Sequence, residues 1–309
     1  MAQLIKLKNY ISRYEKDMYH YPSQYSRLKM ENWNRLRELW QEQKNDQPVE
    51  ILEEKEKHNT KWPTLFKGKE EEMVKEEQAR KLDLPEGEKE LKQYFLDKLL
   101  PFQLKWASST THEMSFLEKD FYHDERLKYF LQRIPDTFLI LYSPIFKLKN
   151  HLLDGGEIIL ISPVGIEVIT LLEKSYDRRI TAKDNRFWYI EENNVQAKML
   201  SPLISLQRME RIIRAILAKH DVEFPIKKVV LSRTNVFEYL TEPYQTEYVG
   251  KEEHEDWLIA KQKFISPFKH NQLKAADLIV KYCETKSFKR PEWQQEEEKN
   301  NDMNRHNFL

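Results

Sequence analysis

The residues whose types and spacing suit chemistry begin in the stretch LLDGGEIILISPVGIEVITLLEK, Leu152 to Lys174. Asp154 and Glu157 bracket the pair Gly155–Gly156, and Glu167 and Glu173 follow on the next apolar run. A basic set comes after them. Lys174, Arg178, Arg179, Lys183 and Arg186 gather in one short span, and Arg208, Arg211 and Arg214 recur at every third position further on. Cations placed this way can neutralise phosphates, each one steepening the log–log salt dependence of binding by ~0.9. Arg178, Arg179, Lys183, Arg208, Arg211 and Arg214 are therefore the candidate contacts to DNA or RNA. The same residues also suit an ordinary solvated face, since Glu210 interrupts the stripe. Nearer the N-terminus, Tyr25, Arg27, Lys29, Trp33, Arg35, Arg37 and Trp40 mix rings with cations. That mixture can stack on single-stranded bases, hold a protein partner, or pack against the rest of the chain.

Other chemistries find no support. The nine histidines show no ligand spacing, and the chain has no Gly-x-Ser-x-Gly, no P-loop and no dinucleotide fingerprint. Its one cysteine, Cys283, makes neither an internal disulfide nor a zinc site, and its apolar helical setting marks it as a core residue. The 51 Lys and Arg balance the 51 Asp and Glu, so any pull toward a polyanion must come from local patches. No run approaches the ~18 apolar residues that would span a bilayer. The opening MAQLIKLKNYISRYEKD lacks the apolar core of a signal peptide. The expectation is a soluble, cytoplasmic protein with no membrane partner.

The elements that must position these groups can be read from periodicity. Residues 1–45 read as a helical N-terminal arm, with Leu28, Trp33, Leu36 and Trp40 at helical spacing. Residues 46–110 are dense in Glu and Lys and read as a charged linker, with KEEEMVKEEQARKL as an exposed helix. FLEKDFYHDERLKYFLQRI is an amphipathic helix burying Phe116, Leu117, Phe121, Leu127, Phe130, Leu131 and Ile134. Strands follow in TFLILYSPIFKL, EIILI and IEVITLL, the last two joined by the turn SPVG, and RRITAKDNRFWYIEEN forms a hairpin. SPLISLQRMERIIRAILAKH is a helix with Ser201 as N-cap, and IKKVVLSR is a further strand. Residues 236–290 hold a loop and then two helices, a C-terminal extension. Residues 291–309 form a polar, disordered tail.

The order α-β-β-β-α-β is similar to the core of the PD-(D/E)XK nuclease-like superfamily. More narrowly, residues 111–235 resemble the nuclease-related domain family, abbreviated NERD. The resemblance is carried by DERLKYFLQRIPDTFLI, GGEIILISPVGIEVITLL and SPLISLQRMERIIRAIL. It implies an α/β, restriction-endonuclease-like core with helical N- and C-terminal extensions. It also implies a Mg²⁺ centre made of an acid before one strand, and a second acid and a lysine two residues apart on the next. On this resemblance Glu157 is the first acid and the metal ligand, and Glu125 matches the family's first-helix Glu. The family's second-helix Gln falls near Ser205 or Gln207. Thr170 and Leu172 stand where the family carries the second acid and the lysine. Glu167 and Glu173 have the opposite strand parity to Thr170 and Leu172, so a sheet with one buried face points them the other way.

The expected function is a NERD-like pseudo-enzyme, a binding or scaffolding module on nucleic acid that needs no cofactor. The alternative is an active Mg²⁺-dependent nuclease with a migrated centre of Asp154, Glu157 and Glu173. A third reading is a protein-interaction module without nucleic acid, working through the N-terminal aromatic arm.

Overall fold

The computed structural model describes residues 1–44, 84–148, 151–176, 178–192, 195–264 and 266–290. The expected exposed helix over residues 69–82 and the tail over 291–309 lie outside them. The chain divides into two compact units, one formed by Met1–Pro22 with the described residues from Leu99 onward, the other by Ser23–Lys98. Six described α-helices are α1 (Tyr21–Lys44), α2 (Glu88–Trp106), α3 (Glu125–Arg133), α4 (Leu203–Ala218), α5 (His254–Lys263) and α6 (His270–Lys281). The strands are β1 (Gln3–Leu7), β2 (Glu113–Met114), β3 (Leu139–Tyr142), β4 (Ile145–Leu148), β5 (His151–Asp154), β6 (Ile158–Ser162) and β7 (Gly165–Leu171). They continue with β8 (Arg179–Ala182), β9 (Phe187–Glu192), β10 (Val195–Leu200), β11 (Ile226–Leu231), β12 (Val236–Tyr239), β13 (Thr246–Val249) and β14 (Phe288–Lys289).

The first unit is mixed α/β. Its main sheet has the order β1-β3-β6-β7-β11-β13. Strands β3, β6 and β7 form an antiparallel meander, and β11 runs parallel to β7 and to β13. Helix α3 precedes the meander, and α4 carries the chain from it to β11, so α3-β3-β6-β7-α4-β11 follows the expected order. The hairpin of β4 and β5 is inserted between β3 and β6. A second sheet, β10-β9-β8-β12, takes β8, β9 and β10 from between β7 and α4 and β12 from after β11. The β6–β7 turn is tight: Ser162 pairs with Gly165, and the Ser162 hydroxyl donates to the Gly165 carbonyl (2.9 Å).

The helices form where the sequence supplies both an apolar face and a start signal. Asp124 caps α3, its carboxylate accepting from the Arg126 and Leu127 amides, and Leu127, Phe130 and Leu131 are buried. In α4, Leu206, Met209, Ile213, Ile216 and Leu217 face inward. Ser201 accepts from the Leu203 amide (3.2 Å), although the cap position itself falls to Pro202.

Three expectations give way. Residues 3–7 are not part of a helical arm; they form β1, which is buried along its length and runs parallel to β3. A strand buried on both faces shows no alternation, and Lys6 obscures the apolar run. That lysine is 0% exposed and reaches Glu15 (2.6 Å), Thr285 (2.7 Å) and the Tyr10 carbonyl (2.8 Å). Phe116 is not a core residue: it is 80% exposed and stacks on Phe288, because the α-helix starts only at Glu125. The segment after Thr234, expected as loop, contains β12 and β13.

The second unit holds most of α1 and the first half of α2. Trp33 packs on Phe95 with ring centres 5.2 Å apart, and the Trp40 indole donates to the Pro85 carbonyl (2.6 Å). Two rings of the aromatic arm are therefore engaged inside this unit.

Candidate functional site

Glu157 stands at the entrance to β6, and the chain reaches it through a turn only glycine makes easily. Gly156 has φ +70°, in the left-handed region. At Gly155 a Cβ would come within 1.8 Å of Glu157 Oε2 and 3.0 Å of Met209 Cε. The carboxylate thus folds back over Gly155 and under α4, where Glu157 is 2% exposed.

Continuing the β6–β7 register by one step from Ile158–Ile169 places Glu157 opposite Thr170 on the same face of the sheet. On the other flank the Ser143 amide donates to the Glu157 carbonyl (3.1 Å). Both Glu157 carboxylate oxygens and Thr170 Oγ1 are buried with no well-formed hydrogen bond. Burial raises the Glu157 pKa above the ordinary carboxylate value; Ser205 and the more distant Arg208 pull it down without prevailing, and Asp154 pushes it up. The Ser205 hydroxyl donates to the Pro202 carbonyl (3.0 Å). The arrangement penalises the charged form of the carboxyl.

The other strand acids are committed elsewhere. Glu173 binds Arg233 through both oxygens (2.5 and 2.9 Å). Burial would raise its pKa, but the Arg233 hydrogen bonds and charge outweigh burial and lower it. Glu167 pairs with Lys261. Asp154, the last residue of β5, is exposed and close enough to Glu157 to act on its charge. Leu172 is buried, with its amide donating to the Leu231 carbonyl (2.8 Å). Among the described residues, no group of three or more His, Cys, Asp or Glu side chains is placed to hold a metal ion.

The six candidate basic residues fall into two groups. Arg208, Arg211 and Arg214 line the exposed side of α4, with Arg211 Nε donating to the Gln207 carbonyl (3.2 Å) and Arg214 paired with Glu210 (2.8 Å). Glu210 also takes Lys228 (2.5 Å), so the acid that interrupts the stripe is largely spent. Arg179 lies in β8 of the second sheet, with Arg178 and Lys183 immediately before and after that strand. Arg179 pairs with Glu238 (3.1 Å), Lys183 Nζ lies 5.5 Å from the centre of the Tyr189 ring, and the Arg178 carbonyl accepts from Asn235 (3.0 Å). Of the two alternatives for the second-helix position, Ser205 is the one beside Glu157.

Sequence reading missed a polar cluster built across long separations. Tyr129 Oη lies 2.5 Å from His254 Nε2, and Arg233 sits over the Tyr129 ring at 4.7 Å. Burial drives the Tyr129 pKa up to a value beyond the ordinary phenol range and the His254 pKa down. It also missed the role of β10, whose Lys198 sits 3.6 Å from the centre of the Phe187 ring.

No helix among the described residues is long and apolar enough to cross a membrane. No family model matches the chain, and no solved structure matches it. A stretch of 45 residues, 15% of this chain, is 44% identical to part of a protein of Geobacillus stearothermophilus described as an RNA 2',3'-cyclic phosphodiesterase; the match spans 14% of that protein.

Proposed function

We propose that residues 111–235 form a restriction-endonuclease-like core of the nuclease-related kind that has lost its cutting centre, and that the protein binds nucleic acid as a scaffolding module. The strand order around β3, β6, β7 and β11 supports the core. The observation that carries the reading is the pairing of a buried Glu157, whose charge burial penalises, with Thr170, with Leu172 two residues further along. A Mg²⁺ centre of this kind needs charged oxygen ligands and a lysine beside them. One buried carboxyl, one hydroxyl and one leucine do not fit that ion, and no catalytic step is derived through it. A centre migrated to Glu173 is disfavoured because Arg233 holds both of its oxygens. The 45-residue match to a protein described as an RNA 2',3'-cyclic phosphodiesterase covers too little of either chain to carry an activity here.

The exposed arginines Arg208, Arg211 and Arg214 supply phosphate contacts on this reading. The test is a binding and cleavage experiment on single- and double-stranded DNA and RNA with Mg²⁺ or Mn²⁺, beside Glu157→Ala. Salt-sensitive binding with no cutting by either protein is expected. Metal-dependent cutting that disappears in Glu157→Ala would overturn the proposal, as would the absence of binding at low salt.

A further inference from the structure

The sheet β10-β9-β8-β12 has one packed face and one open face. Ile180, Trp188, Ile190 and Phe237 are buried, and Trp188 meets Tyr248 of β13 edge-on at 5.2 Å. Alternation along the strands places Phe187 and Tyr189 on the other face. Both rings are half-buried there, although a solvated face of an antiparallel sheet ordinarily carries polar side chains. Tyr189 has Thr181 across from it on one side and Lys198 on the other.

Cations outnumber free acids on this face. Glu191 lies opposite Arg179 and Gln196, and Glu238, which shares a cross-strand row with Thr181, Tyr189 and Lys198, is paired with Arg179. Lys183 lies over Tyr189, and Arg186 (5.2 Å) and Lys198 (3.6 Å) lie over the Phe187 ring. Asp184, in the β8–β9 turn, spends its carboxylate on the Arg186 and Phe187 amides, which lower its pKa. None of the three cations is held in an ion pair among the described residues. A groove of about 530 Å³ crosses the face beside Tyr189, lined by Thr181, Lys183, Gln196, Glu238 and Leu240. A volume of that order suits a ligand of nucleotide size.

We infer that this face is a platform for unpaired nucleotides of a single-stranded nucleic acid. Bases stack against Tyr189 and Phe187, and Lys183, Arg186 and Lys198 meet the phosphates that flank them. Single strands offer the base faces that a duplex hides, and rings interleaved with cations are what such a strand engages. Thr181 and Gln196 present a hydroxyl and an amide to the edge of a base in the groove. The inference rests on the nucleic-acid reading above and adds base contacts on this sheet to the phosphate contacts of α4.

The test is fluorescence anisotropy with the full chain and three probes: a labelled oligo-dT, a labelled oligo-U and a duplex of the same length. Single strands are expected to bind more tightly than duplex. Tyr189→Ala and Phe187→Ala should each weaken binding roughly 5- to 100-fold, the range that loss of one stacked base gives. Tyr189→Phe, which keeps the ring, should bind as the wild type does. Lys198→Ala should also flatten the log–log salt slope by ~0.7. Equal affinity for duplex, or full affinity in both alanine variants, would overturn the platform. If binding survives in those variants but is lost in Arg208→Ala/Arg211→Ala/Arg214→Ala, the contact belongs to α4 and the broader proposal stands. Failure of the wild type to bind any probe at low salt would remove both.

Discussion

Replacing Glu157 by Gln should leave the protein unchanged in acid and more stable at neutral pH. Glu157 is buried, and neither carboxylate oxygen has a well-formed hydrogen bond. Its folded pKa stands above the unfolded value because burial penalises the charge. Between those two values the native state holds the proton more tightly than the unfolded chain does. Wild-type stability therefore falls as pH rises out of the ordinary carboxylate range and levels off above the folded pKa. Glutamine has nearly the same shape and no charge to lose. Glutamine meets the same lack of partners but has no charge to desolvate, so above the folded pKa Glu157→Gln should gain on the wild type by about 1.4 kcal/mol for each unit by which burial raises the pKa. At about 2–4 °C per kcal/mol for a domain of this size, that gain is read as a rise in Tm. The assay is thermal unfolding of both proteins, followed by circular dichroism in steps from pH 4 to pH 8, with and without Mg²⁺. A difference that stays constant with pH would mean burial does not shift the carboxyl, and a wild type that gains on the variant as pH rises would mean the carboxylate is held charged by a partner; either refutes the reasoning. A Mg²⁺-induced rise in Tm confined to the wild type would restore a metal centre at Glu157.

Gly155→Ala should destabilise by about 1–3 kcal/mol as its Cβ displaces the Glu157 carboxylate. A double-mutant cycle read by urea denaturation should show most of that cost vanishing in a Glu157→Ala background. Lys6→Ala should cost about 3–5 kcal/mol in the same assay, since it strips a fully buried cation from Glu15 and three hydrogen bonds with it. His254, whose pKa burial lowers, should act in the opposite sense to Glu157. Its stabilising contribution is lost as pH falls below the usual histidine value toward its folded pKa. His254→Gln should flatten the stability profile between pH 5 and pH 7.

The legible parts of this fold were those whose pattern is local. The meander could be read because Ile158–Ser162 and Gly165–Leu171 flank a turn so short that register follows from counting, and register is what sets Thr170 opposite Glu157. Helix α4 could be read because Leu206, Met209, Ile213 and Ile216 repeat at helical spacing. Strand β1 escaped because its burial depends on partners far along the chain, among them Gln103, which accepts from the Leu4 amide (2.7 Å). Strands β12 and β13 escaped because four residues, set among prolines and acids, carry too few alternations to count. At the candidate site, residue types were visible and their commitments were not. Nothing near Glu173 in sequence announces Arg233, and nothing near Glu167 announces Lys261. The crowding of Gly155 by a carboxylate two residues on is a property of the fold alone.

On the proposed reading, a threonine at 170 and a leucine at 172 make electrostatic sense for a protein that holds nucleic acid and does not cut it. Two ionised carboxylates at the mouth of β6 would repel phosphate unless a metal ion stood between them. With Thr170 in place of a second acid and burial penalising the Glu157 charge, that end of the sheet carries less negative charge than two ionised carboxylates would, with Asp154 exposed beside it. Arg208, exposed on α4 and near enough to act on Glu157, is placed to meet an outside anion. On that reading, the loss that removes the chemistry also reduces the repulsion. On the proposed reading, Thr170→Asp should therefore weaken binding in the absence of divalent metal, even though it restores an acid to the family's position.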